Sequence, residues 1–339
     1  MPRRLHIKRC GKEEARRARR KYQREKEGEK LCHRGKLFFR GLSSDDGLVK
    51  DKERAVDFFK KAANFGNSDA MFNLAVCLEA GDGVALNKKG AFQWYKRAAD
   101  LGNSDAMFNL GTCYFNGIGV KEDKAKAFEL YQQAVNLYNP RVLFFLGQMY
   151  FKGEGVVQDK AKGVELYKKA AERGNADAMF SLAKCFFHGN GVVLSKKKAI
   201  GFLQQAADLE HPSSMYALAG LYFSGEGVLK NRDKAISLLR QAASLDHPES
   251  LLGLGYITFN GSGIREDKAE AIKLFTRAAK LGNSTAMIAL AGCFLHGDGV
   301  KADKDKAIEL LEQAAFCGNP KAHDELHRVT EKPPDKPVS

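Results

Sequence analysis

Residues 113–125 read "CYFNGIGVKEDKA". Two glycines one residue apart, followed closely by lysines, fit either a phosphate-cradling loop or a bend between two helices. Repetition decides between them. Thirty-six residues upstream stands "CLEAGDGVALNKKGA" (77–91), and thirty-six downstream "MYFKGEGVVQDKAKG" (149–163). Glycine pairs recur at Gly81/Gly83, Gly117/Gly119, Gly153/Gly155, Gly189/Gly191, Gly225/Gly227, Gly261/Gly263 and Gly297/Gly299, with a degenerate "DDGL" at 45–48. A phosphate loop is needed once, and no GxxxxGK[ST] segment is present. A fixed period of this length is the mark of a stacked-repeat protein.

Eight units are expected, starting at residues 34, 70, 106, 142, 178, 214, 250 and 286. Counting each unit's first residue as offset 0, offset 4 is Leu in seven units and Phe38 in the first. Offset 5 is usually Ala or Gly, and offsets 7 and 8 are mostly apolar. Offsets 0, 4, 7 and 8 share one face of a 3.6-residue helix, and a small residue at offset 5 lets a second helix approach. Offset 17 is Asp51, Asn87, Asp123, Asp159, Ser195, Asn231, Asp267 or Asp303. Each can cap the N-terminus of a second helix through a side-chain oxygen. That helix carries apolar residues at offsets 21, 22, 24, 25, 28 and 29 and ends at Gly-Asn or His-Pro. Neither helix can bury its apolar face alone, but stacked hairpins can.

The repeated segment "AMFNLGTCYFNGIGVKEDKAKAFELYQQAVNLYN" resembles the Sel-1-like repeat family, relatives of the tetratricopeptide repeats, across residues 34–321. The resemblance implies an all-α, right-handed α/α superhelical solenoid of eight 36-residue helix-turn-helix repeats. It also implies a scaffold or adaptor, with members in protein quality control, membrane-enzyme assembly and signalling, and no shared catalytic residues to carry over. The expected organisation is a basic N-terminal arm at 1–33, repeats at 34–321, a capping helix at 322–330 and a disordered tail at 331–339.

Charge is unevenly placed. The chain's formal net charge is +14, of which residues 1–33 carry 13 Lys/Arg against 5 acids. The cluster "RRARRK" suits nuclear import, nucleic-acid contact or simple solubility. Of seven cysteines, Cys77, Cys113, Cys185 and Cys293 share one offset with Met149, Leu221 and Ile257, the pattern of small buried hydrophobes. No cofactor or metal site is expected. "HDELH" at 323–327 has two histidines four apart but lacks the zincin arrangement, and an ER-retention signal would have to be C-terminal. The four histidines His188, His296, His211 and His247 occupy equivalent offsets in pairs and read as structural. The N-terminus lacks an apolar signal core and no run approaches a membrane span, so an intracellular, cytoplasmic or nuclear protein is expected.

Two stripes are candidates for partner binding. Offset 9 includes Phe115, Phe151 and Phe187, and offset 2 includes Phe108, Phe144 and Phe180. Both lie opposite the main core stripe, where a groove or inter-helix packing would place them. Asn73 and Asn109 could hydrogen-bond a peptide backbone. A basic ridge runs through Lys88, Lys124, Lys160, Lys196, Arg232, Lys268 and Lys304 at offset 18, where a cation opposes the helix dipole. The leading expectation is a non-enzymatic adaptor holding a protein or peptide on the solenoid's inner side. The alternatives are a nucleic-acid or acidic-partner protein using the arm and ridge, and a regulatory subunit of a separate enzyme.

Overall fold

The computed structural model describes residues 2–41, 51–135 and 140–330. The "DDGL" copy at 45–48 and the tail at 331–339 lie outside the described residues. All regular structure among the described residues is helical. The chain forms two compact units, Met1–Lys169 and Ala170–Ser339. The first holds α1 (Pro2–Arg40), α2 (Lys52–Asn64), α3 (Ser68–Ala80), α4 (Lys88–Asp100), α5 (Ser104–Asn116), α6 (Lys124–Val135), α7 (Pro140–Lys152) and most of α8 (Lys160–Ala171). The second holds α9 (Ala176–His188), α10 (Lys196–Asp208), α11 (Pro212–Ser224), α12 (Arg232–Ser244), α13 (Pro248–Phe259), α14 (Lys268–Lys280), α15 (Ser284–His296), α16 (Lys304–Phe316) and α17 (Pro320–Thr330). Within each unit helices pack chiefly on their sequence neighbours, as expected of an α-solenoid.

The expected caps are all made. Asp51, Asn87, Ser195, Asn231, Asp267 and Asp303 accept from the backbone N–H three residues on. Asp123 and Asp159 do the same with Lys126 and Lys162. The Gly-Asn and His-Pro pairs do more than end a helix. Asn67, Asn103, Asn175 and Asn283, and in two units His211 and His247, are N-caps of the following first helix. The glycine pair of the third unit splits its work. Gly117 ends α5 in the left-handed conformation (φ 68°). Gly119 (φ 70°) lies against the preceding unit's second helix, where an added Cβ would overlap the Lys88 carbonyl.

The offset-4 leucines Leu74, Leu110, Leu146, Leu182, Leu218, Leu254 and Leu290 are buried, each worth about 1.5–3 kcal/mol of transfer free energy. Offset 5 faces offset 25 within the hairpin. Where offset 5 is glycine the partner is a ring: Gly111 against Tyr131, Gly147 against Tyr167, Gly255 against Phe275. Where it is Ala183, Ala219 or Ala291, offset 25 is Leu203, Leu239 or Leu311. The pairs conserve summed volume, as close packing demands. Ala75 opposite Tyr95 departs from this pairing.

The first unit departs from the sequence register. In every other unit the offset-17 N–H donates to the offset-8 carbonyl, as Asn87 does to Leu78 and Asp123 to Tyr114. Asp51 donates to Phe38 at 3.1 Å, so Phe38 holds offset 8 and is not the counterpart of the leucines. Gly41 (φ 71°) is the true first glycine of that bend, and Gly35, not Phe39, is the small residue against Phe59. The first unit therefore begins near residue 30 and carries four extra residues between Gly41 and Asp51. The packed array also reaches into the expected arm: Gly28 is buried against Phe65, and Cys32 is 4% exposed. Before it, residues 16–27 of α1 are exposed. At the other end Ala322 is buried, and Leu326 and Val329 pack against the cluster containing Leu290 and Leu311. His323 and His327 stand exposed on this capping helix.

Candidate functional site

The basic ridge is largely occupied within the protein itself. Lys52, Lys124, Lys196 and Lys268 each lie over an offset-9 ring of their own unit: Phe39, Phe115, Phe187 and Phe259, at 5.7, 5.2, 5.7 and 5.2 Å. Each also pairs with an offset-12 acid of the next unit: Asp82 (2.5 Å), Glu154 (3.2 Å), Glu226 (2.9 Å) and Asp298 (2.8 Å). The hydrogen bond from Lys268 holds the Asp298 carboxyl below its ordinary range and raises the lysine. Lys160 lies over Phe151 at 5.9 Å. Lys88, Arg232 and Lys304 are exposed. In alternate units, then, the ridge is a clasp between neighbouring repeats, and this accounts for the cation in the first turn of those second helices.

In the first compact unit the expected groove residues are mostly committed to packing. Phe108 is 3% exposed, in ring contact with Tyr131 and Phe145, so it is core rather than an open anchor. Phe144 and Phe151 are half-buried, and both pack against the offset-25 ring Tyr167, at 5.7 and 6.0 Å. The proposed backbone clamp is also engaged. The Asn73 amide donates to the Asp69 carbonyl at 2.6 Å, and Asn109 is half-buried beside Tyr95, whose hydroxyl donates to Glu79 at 2.7 Å.

The second compact unit is different. There Phe180 and Phe187 of α9 and Tyr216 of α11 open onto a cavity of about 500 Å³. Leu203 and Leu221 form part of its wall, and Lys184, His188, Ser213, His247 and Glu249 supply polar groups. Of the two histidine N-caps, His247 lines this recess and His211 stands behind Phe180. Phe180 packs on the His211 ring at 5.3 Å and Tyr216 on the His247 ring at 5.6 Å, one repeat apart. Elsewhere an asparagine caps at this place, with no ring to extend the apolar wall.

Hydrogen bonding fixes the His247 tautomer. The Ser250 N–H donates to Nδ1 at 3.3 Å and the Ser250 hydroxyl lies 3.0 Å from the same atom, so Nδ1 accepts and Nε2 carries the proton. Nε2 in turn lies 3.3 Å from Ser213 Oγ and 3.3 Å from Glu249 Oε2. His211 repeats the arrangement with Ser214 and Asp177. Burial pushes the His247 pKa down, partly opposed by Glu249. Both ring nitrogens are thus engaged in positioning. Burial also pushes Cys77 and Cys185 up to about 11 and Cys113 up to about 12, which keeps these thiols protonated and unreactive at neutral pH. Among the described residues no group of three His, Cys, Asp or Glu side chains could hold a metal ion, and no helix is long and apolar enough to cross a membrane.

Of the residues singled out by sequence, Phe180 and Phe187 meet in one site. Tyr216 belongs to the same stripe, whereas His247, Ser213 and Glu249 had no chemical signal of their own. The one available clue was the appearance of His-Pro for Gly-Asn in two successive units.

Comparison with known proteins agrees with this architecture. The profile of the Sel1 repeat matches eight times, over residues 31–67, 68–103, 104–139, 140–175, 176–211, 212–247, 248–283 and 284–319. No curated protein sequence matches the chain. Among solved structures, a Sel1 repeat protein from Oxalobacter formigenes is 25% identical over 92% of this chain and 90% of its own, with a TM-score of 0.65. The protective antigen c5321 of uropathogenic Escherichia coli, which displays the same repeat fold, is 25% identical over 89% of this chain and 72% of its own, with a TM-score of 0.57. Yeast Tom70, 18% identical with a TM-score of 0.53 over 89% of this chain and 64% of its own, shares the fold alone. Sel1 repeat proteins are generally non-enzymatic scaffolds for protein interaction. Eight profile matches in unbroken succession, on a helical-hairpin array with the caps and bends described above, make this chain a member of the Sel1 repeat family.

Proposed function

We propose that the chain is a non-enzymatic adaptor and that its second compact unit holds a protein segment by apolar side chains inserted beside Phe180, Phe187 and Tyr216. The cavity between these rings carries the reading. Its volume, about 500 Å³, suits two or three side chains, and its wall is predominantly aromatic and aliphatic. Rigid aromatic side chains around a desolvated recess are the usual anchors of a binding hot spot. The polar groups on the rim favour binding over catalysis, because His247 is held at both ring nitrogens by Ser250, Ser213 and Glu249 and has no nitrogen left to serve as a general base. The cleft asks of a partner an extended or helical segment with clustered Leu, Met or aromatic side chains.

Selection of a displayed random-peptide library on the full chain, followed by fluorescence anisotropy with the enriched peptides, tests this. Enriched sequences should carry paired apolar anchors. Tyr216→Asp and Phe187→Ala should each weaken binding by roughly tenfold or more, the range of a hot-spot residue. Peptides that bind both variants as tightly as the parent chain would refute the reading.

A further inference from the structure

The bends of the second compact unit carry a surface feature separate from the cleft. Val193 and Leu229, at the same offset of adjacent repeats, are 87% and 91% exposed, and Leu194 beside Val193 is 56% exposed. In the two repeats that follow, this offset is Arg265 and Lys301. Charge changes with it. Residues 189–198 hold three lysines and no acid, and residues 225–234 hold three basic residues against two acids. Residues 261–270 hold two against three, and residues 297–306 three against three. Within this unit the protruding aliphatic tips coincide with the two bends of net positive charge and are absent from the neutral and acidic ones; in the first compact unit Val157, at the same offset, is 86% exposed in a bend with two basic residues against two acids.

Part of that charge is engaged internally. Lys196 pairs with Glu226, Lys198 lies over Phe186 and Lys234 over Tyr222. Lys197 and Lys230, each next to or near an apolar tip in sequence, are exposed.

We infer that these two bends form a docking edge for an anionic lipid surface. A side chain about nine-tenths exposed projects from the protein and makes almost no contact with its own fold. A folded protein partner would need a separate pocket for each such tip, whereas a lipid interface deforms around them. Aliphatic chains entering the headgroup boundary, with lysines beside them at the level of the phosphates, are the combination that holds proteins at membrane surfaces. The arginine-rich part of α1 offers charge without this partner chemistry, since Tyr22 is the only large apolar side chain exposed among its described residues. This inference is independent of the cleft, because neither Val193 nor Leu229 lines it.

Co-sedimentation of the full chain with vesicles of phosphatidylcholine alone, or mixed with phosphatidylserine, tests it. Partitioning should be at least tenfold stronger on the anionic vesicles and should weaken in high salt. Val193→Ser with Leu229→Ser, and separately Lys197→Glu with Lys230→Glu, should each lower it tenfold or more with an unchanged melting temperature. A control replacing Arg16, Arg17 and Arg20 by glutamate should retain most of the binding. Absence of binding to anionic vesicles overturns the inference. So does loss only in the α1 control. Concentration-dependent dimerisation abolished by the serine pair, without vesicle binding, would assign the edge to a second copy of the chain and equally overturn it.

Discussion

Changing Gly255 to alanine tests the packing rule that joins the two helices of each hairpin. A Cβ built on Gly255 would stand 2.5 Å from Phe275 Cε1, 2.7 Å from Cδ1 and 3.3 Å from Cζ. The ring is 1% exposed and flanked by Tyr256 and Phe259 at 5.2 and 6.3 Å, so it has little room to retreat. Alanine gains about 1 kcal/mol in helix propensity over glycine. Overpacking of a closed core costs about 1–3 kcal/mol, and contact with the body of a ring belongs in the upper part of that range. The net expectation is a loss of about 1–2 kcal/mol. Phe275→Leu alone removes buried carbon and also costs roughly 1–2 kcal/mol. The double variant recreates the combination already present as Ala183 with Leu203, Ala219 with Leu239 and Ala291 with Leu311. It should be no less stable than Phe275→Leu, giving a favourable coupling of about 1–2 kcal/mol. Urea titrations of the four proteins, followed by circular dichroism and fitted with terms for individual repeats, measure this. Additivity within about 0.5 kcal/mol would refute the claim that offsets 5 and 25 are chosen as a pair.

Three further outcomes follow from particular residues. Glu210 holds φ 58° at a helix end where five other units have glycine and one has Asp246 (φ 55°), so Glu210→Gly should stabilise the chain by about 0.5–1 kcal/mol, seen as a higher urea midpoint. Gly119→Ala combines φ 70° with overlap on the Lys88 carbonyl and should cost about 2 kcal/mol or more; an unchanged midpoint would show that adjacent repeats do not meet there. Burial lowers the folded-state pKa of His247, so the neutral ring is the form the fold prefers. Its stabilising contribution is complete above the unfolded value near 6.5 and is lost as pH falls toward the lower folded value, when Nδ1 gains a proton and can no longer accept from Ser250. His247→Asn supplies the cap used in other units, so its stability should vary less between pH 7 and 5, read from paired urea titrations.

Much of the fold was legible because a repeat samples the same physical problem eight times. One Asp before a helical pattern is a weak cap signal. Asp, Asn or Ser at offset 17 in all eight units is a strong one, and all eight cap. The lysine ridge was equally visible as a line, but its meaning was not. Whether a cation faces solvent or a neighbour depends on the acid 30 residues later, and that acid is present only in alternate units. The candidate site was legible in part. Phe108, Phe144 and Phe180 share an offset, yet Phe108 is core and Phe180 faces a cleft, because Arg141 and Phe145 cover one while His211 stands beside the other.

Sequence by itself determined what is periodic and local: the helical hairpin, its caps, its glycine bend and its leucine face. These depend on residues within about one repeat of each other, whose spacing is written along the chain. Tertiary structure decided what depends on approach between elements. It displaced the first unit's register by one helical turn, paired Lys124 with Glu154, and turned the substituted N-cap His247 into part of the wall of a recess. The physical reason is that a side chain's partner is fixed by the distance and direction between packed helices, and helical spacing specifies a face without specifying what comes to cover it.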